Sequence, residues 1–237
     1  MNTIEKKIAT FSWDQIAEDL NTKGYTVIPR FLSGQECEVI TSLYDTPSLY
    51  RKTVIMERHR FGLGEYKYFN YPLPDTIASI RKSIYPYLSA VANLWMKALN
   101  INTVFPSQLE TLHEQCRNNN QTKPTVLVLK YGKGGFNTLH QDIYGDVFFP
   151  MQAVIMLNEP GEDYTGGEFV LTEQIPRAQS KAIVLKPVKG DMLIFTTNFR
   201  PVKGTKGYYR VNMKHGVSEV HNGKRMALGI IFHDATT

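Results

Sequence analysis

Cysteine is nearly absent from this 237-residue chain: there are only Cys37 and Cys116, and they form no spaced set. Disulfide frameworks and thiolate zinc sites need cysteines at short, regular spacings, so neither organises this protein. Two reduced thiols suit a reducing compartment. Long apolar runs are missing as well, and nothing approaches the ~20 residues that carry a helix across a bilayer. Residues 1–7 contain no apolar core and no small-residue cleavage site. No secretion signal is therefore expected, and the chain reads as cytoplasmic, without membrane contact. Blocks of one charge are lacking too. The formal net charge is +5, yet no five basic residues run together. Such a scatter is first of all a solvated surface, and the excess permits a polyanionic partner without specifying one. There are no repeats, no low-complexity stretches and no Ser-His-Asp or paired-carboxylate signature.

What is present is an ordinary globular balance, 42% hydrophobic and 21% charged, in a chain long enough for one large domain or a domain with an extension. Its character changes near Thr122-Lys123-Pro124. Before that point helical patterns dominate. Ser12 with Gln15 and Ser33 with Glu36 have the spacing of capping boxes, opening helices to about residues 21 and 44, and Gly24 stops the first. Residues 25–29 form a short strand. A long apolar-periodic stretch covers 75–100, with a kink or break expected at Pro86, and a further helix covers 107–117. From Thr125 onward, β-forming runs recur at 125–131, 137–142, 152–157, 168–172, 182–185, 191–195, 210–220 and 225–232, separated by Gly-rich turns. No helix-length segments lie between them, which argues against a parallel α/β fold and for a jelly-roll sandwich or barrel. The expected division is a mostly helical region 1–122, integral to the fold, and a β core 123–237.

The first chemical signal is His140-Gln141-Asp142. On a strand, side chains at i and i+2 share a face, so His140 and Asp142 can converge on one ion. Alone, a His-x-Asp triplet is common. A third donor, His215, lies in another strand candidate, and two histidines with one carboxylate make the facial triad of non-haem Fe(II) oxygenases, which leaves metal positions open. Of the other histidines, His221 belongs to a turn, His113 to a helix, His59 to the basic stretch Arg58-His59-Arg60 and His233 to a frayed C-terminus. Ten residues after His215 comes Arg225, whose planar guanidinium suits a carboxylate. The segment 226–232 that follows is too apolar for an exposed strand, which argues against a surface arginine.

Tyr131-Gly132-x-Gly134, His140-x-Asp142, Gly166-Gly167-Glu168-Phe169, Lys189-Gly190-Asp191, His215-Gly216-Val217 and Arg225 together resemble the Fe(II)/2-oxoglutarate-dependent dioxygenase superfamily over about residues 125–234. The whole chain, including Gly64-Glu65-Tyr66-Lys67-Tyr68-Phe69 and the ending Ile230-Ile231-Phe232-His233-Asp234-Ala235, is similar to a bacterial family named as oxygenases acting on damaged nucleic acid. The resemblance implies a double-stranded β-helix with a helical N-terminal extension. It implies Fe(II) on His140, Asp142 and His215, with 2-oxoglutarate and dioxygen as co-substrates. Arg225 would pair with the far carboxylate of 2-oxoglutarate, and Tyr131 would hydrogen-bond the same group unless it is a core aromatic. The reaction implied is C–H hydroxylation coupled to decarboxylation of 2-oxoglutarate to succinate.

For the substrate, two segments interleave cations with aromatics, 58–71 and 199–210, a mixture that suits phosphates and stacked bases but also ordinary hairpin surfaces. Nucleic-acid demethylases of the AlkB type carry a second arginine six residues after the first, where this chain has Ile231. The pattern also resembles prolyl hydroxylases, which usually place lysine at the position of Arg225. Oxidative demethylation of alkylated nucleic acid, hydroxylation of a prolyl or other amino-acid side chain, and a cupin-like metal-binding module without turnover all stay open.

Strand parity adds a geometric expectation. If residues 210–220 and 225–232 form a hairpin, a two-residue Asn222-Gly223 loop sets Arg225 opposite Val220 and so on the face away from His215. A three-residue loop 221–223 sets it opposite Glu219, on the same face as His215. Gly223 then takes the left-handed position of a G1 bulge.

Overall fold

The computed structural model describes residues 3–237; Met1 and Asn2, the start of the stretch read above for a secretion signal, lie outside the described residues. The chain opens with α1 (Thr3–Ala9), α2 (Trp13–Lys23), β1 (Tyr25–Ile28) and α3 (Gly34–Ser42). Then come β2 (Tyr50–Ile55), β3 (Gly62–Leu63), β4 (Glu65–Phe69), α4 (Asp75–Ala98) and α5 (Leu109–Asn118). Strands fill the remainder: β5 (Leu127–Tyr131), β6 (Phe136–His140), β7 (Met151–Met156), β8 (Tyr164–Gly166), β9 (Phe169–Gln174) and β10 (Lys181–Leu185), followed by β11 (Met192–Thr196), β12 (Phe199–Gly204), β13 (Gly207–Val217), β14 (Val220–Gly223) and β15 (Arg225–Ile231).

Local chemistry sets most of these boundaries. The Ser33 hydroxyl accepts from the Glu36 N–H at 3.2 Å while the Glu36 carboxylate accepts from the Ser33 N–H at 2.8 Å, completing a capping box. At Ser12 the helix starts where expected, but the serine side chain makes no cap bond. Pro86 does not break its helix: α4 runs unbroken for 24 residues. A mid-helix proline costs about 3 kcal/mol. Each fully buried large apolar side chain returns ~1.5–3 kcal/mol, and α4 buries Ile77, Ile80, Ile84, Leu88 and Trp95 along one side.

The strands form two main sheets in the order β1-β11-β7-β15-β5-β4-β2 and β10-β9-β13-β6-β3, with β12 also paired to β13 and β14 paired to β8 in a separate ribbon. The chain passes back and forth between the sheets, as a double-stranded β-helix does. Residue alternation divides the larger sheet. In β15, Met226, Leu228 and Ile230 join the core shared with α4, while Arg225, Ala227, Gly229 and Ile231 line a cavity between the sheets. The region before residue 122 is less purely helical than its pattern suggests, since β1, β2 and β4 extend both edges of the larger sheet.

The C-terminus is not frayed. Phe232, His233, Asp234 and Ala235 are all buried. Arg81, itself 1% exposed, donates to the carbonyls of Ile231 and Phe232 at 2.9 Å and pairs with Asp234 at 2.9 Å. Among the described residues no helix is long and apolar enough to cross a membrane.

Candidate active site

His140 ends β6, and its direct cross-strand partner on β13 is His215. Asp142 lies two residues past His140, beyond the ladder, and turns to the same side. Nε2 of His140 is 3.5 Å from one Asp142 oxygen, and Nε2 of His215 is 3.2 Å from the other. One donor atom from each residue falls within 4.8 Å of the rest. The His140 Nδ1 bonds the Thr138 carbonyl at 2.8 Å, which fixes a proton on Nδ1 and leaves the Nε2 lone pair facing the carboxylate. Burial pushes the Asp142 carboxyl up, but the neighbouring His140 and hydrogen bonds from His215 and Tyr144 outweigh it and hold the group well below the ordinary carboxylate range. Burial, then His140, pushes His215 down. A carboxylate with two imidazoles is the donor set of a divalent transition metal, so these three residues could hold one.

Arg225 begins β15, and its direct partner on β5 is Tyr131. One pair of facing residues on the smaller sheet thus carries the two histidines, and a second pair on the larger sheet carries a cation and a phenol. Both pairs line the same cavity, about 210 Å³ in volume. Arg225 is 2% exposed and Tyr131 fully buried. Among the described residues no carboxylate lies within ion-pair distance of Arg225, its Nε has no hydrogen-bond partner, and neither has the Tyr131 hydroxyl. Burial pushes the Tyr131 phenol up to about 12, so it stays a neutral donor. A buried cation without an acid is costly, and here its orphaned donors open onto a cavity: an arrangement ready for an anion.

The route by which His215 and Arg225 reach one cavity is not the expected hairpin. β13 lies in the smaller sheet and β15 in the larger one, and they do not pair. The chain crosses between sheets through β14, which pairs with β8 with a register shift between Val220 and Asn222. Gly223 does have positive φ, +80°, but for another reason: a Cβ there would lie 2.0 Å from the Asp163 carbonyl oxygen. The parity argument reached the right facing through a pairing the fold does not use.

Two cavity residues, Tyr144 and Gln152, escaped the sequence reading. Tyr144 donates to Asp142 at 2.6 Å, and Tyr68 donates to the Tyr144 hydroxyl at 3.2 Å. Gln152, 4% exposed, interrupts the otherwise apolar β7 and contacts His215. Its signal was a lone amide inside a buried strand. Of the two cation–aromatic segments, 58–71 reaches the cavity through Phe61, Tyr66 and Tyr68, whereas no residue of 199–210 lines it. In that second segment Arg200 is consumed by Glu173 at 2.5 Å and by the Asn21 carbonyl, and Arg210 lies over the Phe199 ring. Of the remaining histidines, His113 bonds the Phe232 carbonyl and His233 accepts from the Phe149 N–H. His59 and His221 are exposed.

Solved structures of prolyl hydroxylases and of a 2OG-Fe(II) oxygenase family member share this fold. A Trichoplax adhaerens prolyl hydroxylase, solved with a peptide fragment of the hypoxia inducible factor oxygen degradation domain, matches with a TM-score of 0.55 at 17% identity over 99% of this chain and 94% of its own. A Pseudomonas putida prolyl-4-hydroxylase matches at 0.51 and 14% identity, over 94% and 98%. A 2OG-Fe(II) oxygenase family oxidoreductase from Burkholderia pseudomallei matches at 0.50 and 13%, over 95% and 93%. At the sequence level, an uncharacterized Mycobacterium tuberculosis protein, present in two strains, is 42% identical over 167 residues, 70% of this chain and 72% of its own. Residues 64–235 match the model of the Oxygenase-NA family, described as an oxygenase catalysing oxidative methylation of damaged DNA, and the chain belongs to that family. As an oxygenase it is an oxidoreductase.

Proposed function

We propose that this enzyme oxidises a C–H bond of alkylated nucleic acid, with Fe(II) on His140, Asp142 and His215 and the far carboxylate of 2-oxoglutarate on Arg225 and Tyr131. The observation that carries the reading is the meeting, in one cavity, of a three-donor cluster and a buried arginine without an acid. When bound, Fe(II) with 2-oxoglutarate and dioxygen supplies the oxidising power, coupling decarboxylation of the co-substrate to insertion of one oxygen atom into substrate. The protein's share is binding and orientation. Tyr144 holds one Asp142 oxygen, Thr138 fixes the His140 tautomer, and Arg225 anchors the co-substrate by charge. The aromatic wall of Phe61, Tyr66 and Tyr68 excludes water and places the target carbon.

An oxygenase adds oxygen to a methyl carbon, so the direction we assign to the damaged-DNA chemistry is removal. Hydroxylation of an N-methyl group gives a hemiaminal, which loses formaldehyde and leaves the N–H base. The rim supports a nucleic-acid substrate. Phe61 is 45% exposed and stacks with His59 at 5.3 Å, between the exposed Arg58 and Arg60. An aromatic platform flanked by cations suits a base and its phosphates.

The test incubates the iron-loaded protein with 2-oxoglutarate in air, adding either N-methylated oligonucleotides or a peptide pool, and follows succinate, formaldehyde and product mass. Succinate and formaldehyde rising together with the methylated oligonucleotides are expected. Oxygen-added peptides with inert oligonucleotides would establish a protein hydroxylase instead. Bound metal with no 2-oxoglutarate turnover under any condition would leave a cupin-like binding module.

A further inference from the structure

Arg225 borders two cavities. The first, described above, holds the three-donor cluster. The second, about 390 Å³, is lined by β8 and the turn before it, the start of β9, and the link from β10 to β11. Arg225 and Phe169 line both. The guanidinium is bracketed accordingly. Its carbon lies 5.5 Å from the centroid of the Tyr131 ring, which lines the first cavity, and its Nη2 donates at 3.7 Å to the sulfur of Met156, which lines the second. Gly167 keeps the wall of the second cavity thin: a Cβ there would lie 2.9 Å from Arg225 Cδ, and φ is +66°. Tyr164, another residue of the second cavity, sits beside the same cation. Burial pushes its phenol up, and the Arg225 charge draws it back.

Charge and donors both favour an anion there. The charged residues lining the second cavity are Lys186 and Arg225 against Glu168, a surplus of one positive charge. Glu168 is already engaged, by Lys186 at 3.4 Å and by the Ser218 hydroxyl. An arginine has five N–H donors, and a bidentate carboxylate in the first cavity takes two of them. Another goes to the Met156 sulfur, a weak acceptor, and the Nε has no partner. Donors therefore remain for a second ligand. Pro160, Leu185, Pro187 and Val188 make the rest of the lining largely apolar, which suits a short aliphatic chain and disfavours a second charge.

We propose that the second cavity binds a small aliphatic monocarboxylate, with its charge on Arg225 and Tyr164 and its chain against Leu185, Pro187 and Val188, and that this ligand opposes 2-oxoglutarate. The opposition rests on the proposed placement of the far carboxylate of 2-oxoglutarate on Arg225; the second site itself does not. One guanidinium then serves two anions from two cavities. Each anion neutralises the cation that attracts the other, and the two like charges repel at short range. Coupling between sites is reciprocal, so each ligand weakens the other by the same factor, roughly five-fold or more. The affinity for 2-oxoglutarate thereby responds to the surrounding pool of carboxylates.

The probe is isocaproate, which has no 2-oxo group to chelate a metal, with isocaproamide as its uncharged counterpart. Methyl NMR of protein labelled at leucine and valine reads which cavity is occupied: Leu185 and Val188 line the second, Leu127 and Val217 the first. Calorimetry of 2-oxoglutarate into the Mn(II)-loaded protein under nitrogen, with and without the probe, reads the coupling. The expected results are shifts at Leu185 and Val188 with the acid and not with the amide, and 2-oxoglutarate binding weakened roughly five-fold or more by saturating probe. Val188→Trp, at a position 39% exposed, puts an indole into the second cavity. It should abolish both effects while 2-oxoglutarate binding without the probe keeps its wild-type value. Lys186→Glu, whose side chain is 72% exposed, serves if the tryptophan fails to fold. It should weaken probe binding roughly two- to five-fold, the scale of an exposed charge pair. Shifts confined to Leu127 and Val217, shifts that the amide reproduces, or no shifts at all would overturn the second site. Shifts at Leu185 and Val188 with an unchanged 2-oxoglutarate affinity would overturn the sharing of Arg225. A protein that binds no 2-oxoglutarate would overturn the reading of the first cavity and the opposition with it, while the methyl shifts still decide the second site.

Discussion

Asp142 is the one carboxylate among the three candidate ligands, and it carries two bonds at once, to Tyr144 at 2.6 Å and to His215 at 3.2 Å. Such a set has no spare member, so Asp142→Ala should abolish iron-dependent succinate formation while the circular-dichroism melt stays cooperative. Full decarboxylation by that variant would refute the triad. Tyr144→Phe keeps the ring and loses the bond that orients the carboxylate. Outer partners of this kind are worth about 10–100-fold in metal affinity, and calorimetry should find a loss on that scale with the fold intact. No change would reduce Tyr144 to a wall residue. Arg225→Ala should raise the 2-oxoglutarate requirement far more than the iron requirement, by on the order of 3–5 kcal/mol for a buried carboxylate that loses its charged partner. Equal effects on both would make Arg225 structural. At this scale the sequence was most readable. His140, Asp142, His215 and Arg225 are residue types whose chemistry restricts their use, and their spacing left few alternatives. Tyr144 and Gln152 were not readable. A tyrosine or glutamine becomes informative only once the neighbours it bonds are known.

Among the elements, the segment after His215 decides whether the two halves of the cavity meet. β13 ends in the smaller sheet, β14 pairs with β8, and β15 starts in the larger sheet with Arg225. Gly223 sits at the tightest point of this crossover, with φ +80° and the Asp163 carbonyl where a Cβ would go. Gly223→Ala should therefore lower stability by roughly 1–3 kcal/mol, the usual cost of a strained backbone position, and weaken 2-oxoglutarate binding through displacement of Arg225. Urea denaturation checks the first effect, and a variant as stable as wild type would contradict it. The β-rich half was legible because turn residues punctuate it at regular intervals. The strands at 50–69 were not: β2 reads Tyr-Arg-Lys-Thr-Val-Ile with only Val54 buried, so no clean alternation marks it. The β13–β15 pairing failed because adjacency in sequence suggests a hairpin, whereas a double-stranded β-helix sends successive strands to different sheets.

At the scale of the whole molecule, the last residues lock the helices to the β core. Arg81 on α4 binds the Ile231 and Phe232 carbonyls and Asp234, and His113 on α5 bonds Phe232. His113 and His233 are both pushed down to about 4, by burial first and by the Arg81 charge as well. Their folded pKa lies below the unfolded value near 6.5, so the unfolded chain binds more protons between those limits, and stability falls as pH drops from about 6.5 to about 4. The slope should reach up to about 1.4 kcal/mol per pH unit for each histidine. Urea midpoints measured between pH 7 and pH 4.5 should decline, and a flat profile would show that these histidines stay protonated in the folded state or are exposed.

The central claim is that one cavity holds Fe(II) on one sheet and the far carboxylate of 2-oxoglutarate on the other. The most direct test is anomalous diffraction at the iron edge from crystals grown under nitrogen with Fe(II) and 2-oxoglutarate. The account predicts a single strong peak among His140 Nε2, the Asp142 carboxylate and His215 Nε2, with the far carboxylate of 2-oxoglutarate bonded to Arg225 and Tyr131. Iron bound away from these three residues, or 2-oxoglutarate lying with no contact to Arg225, would contradict it.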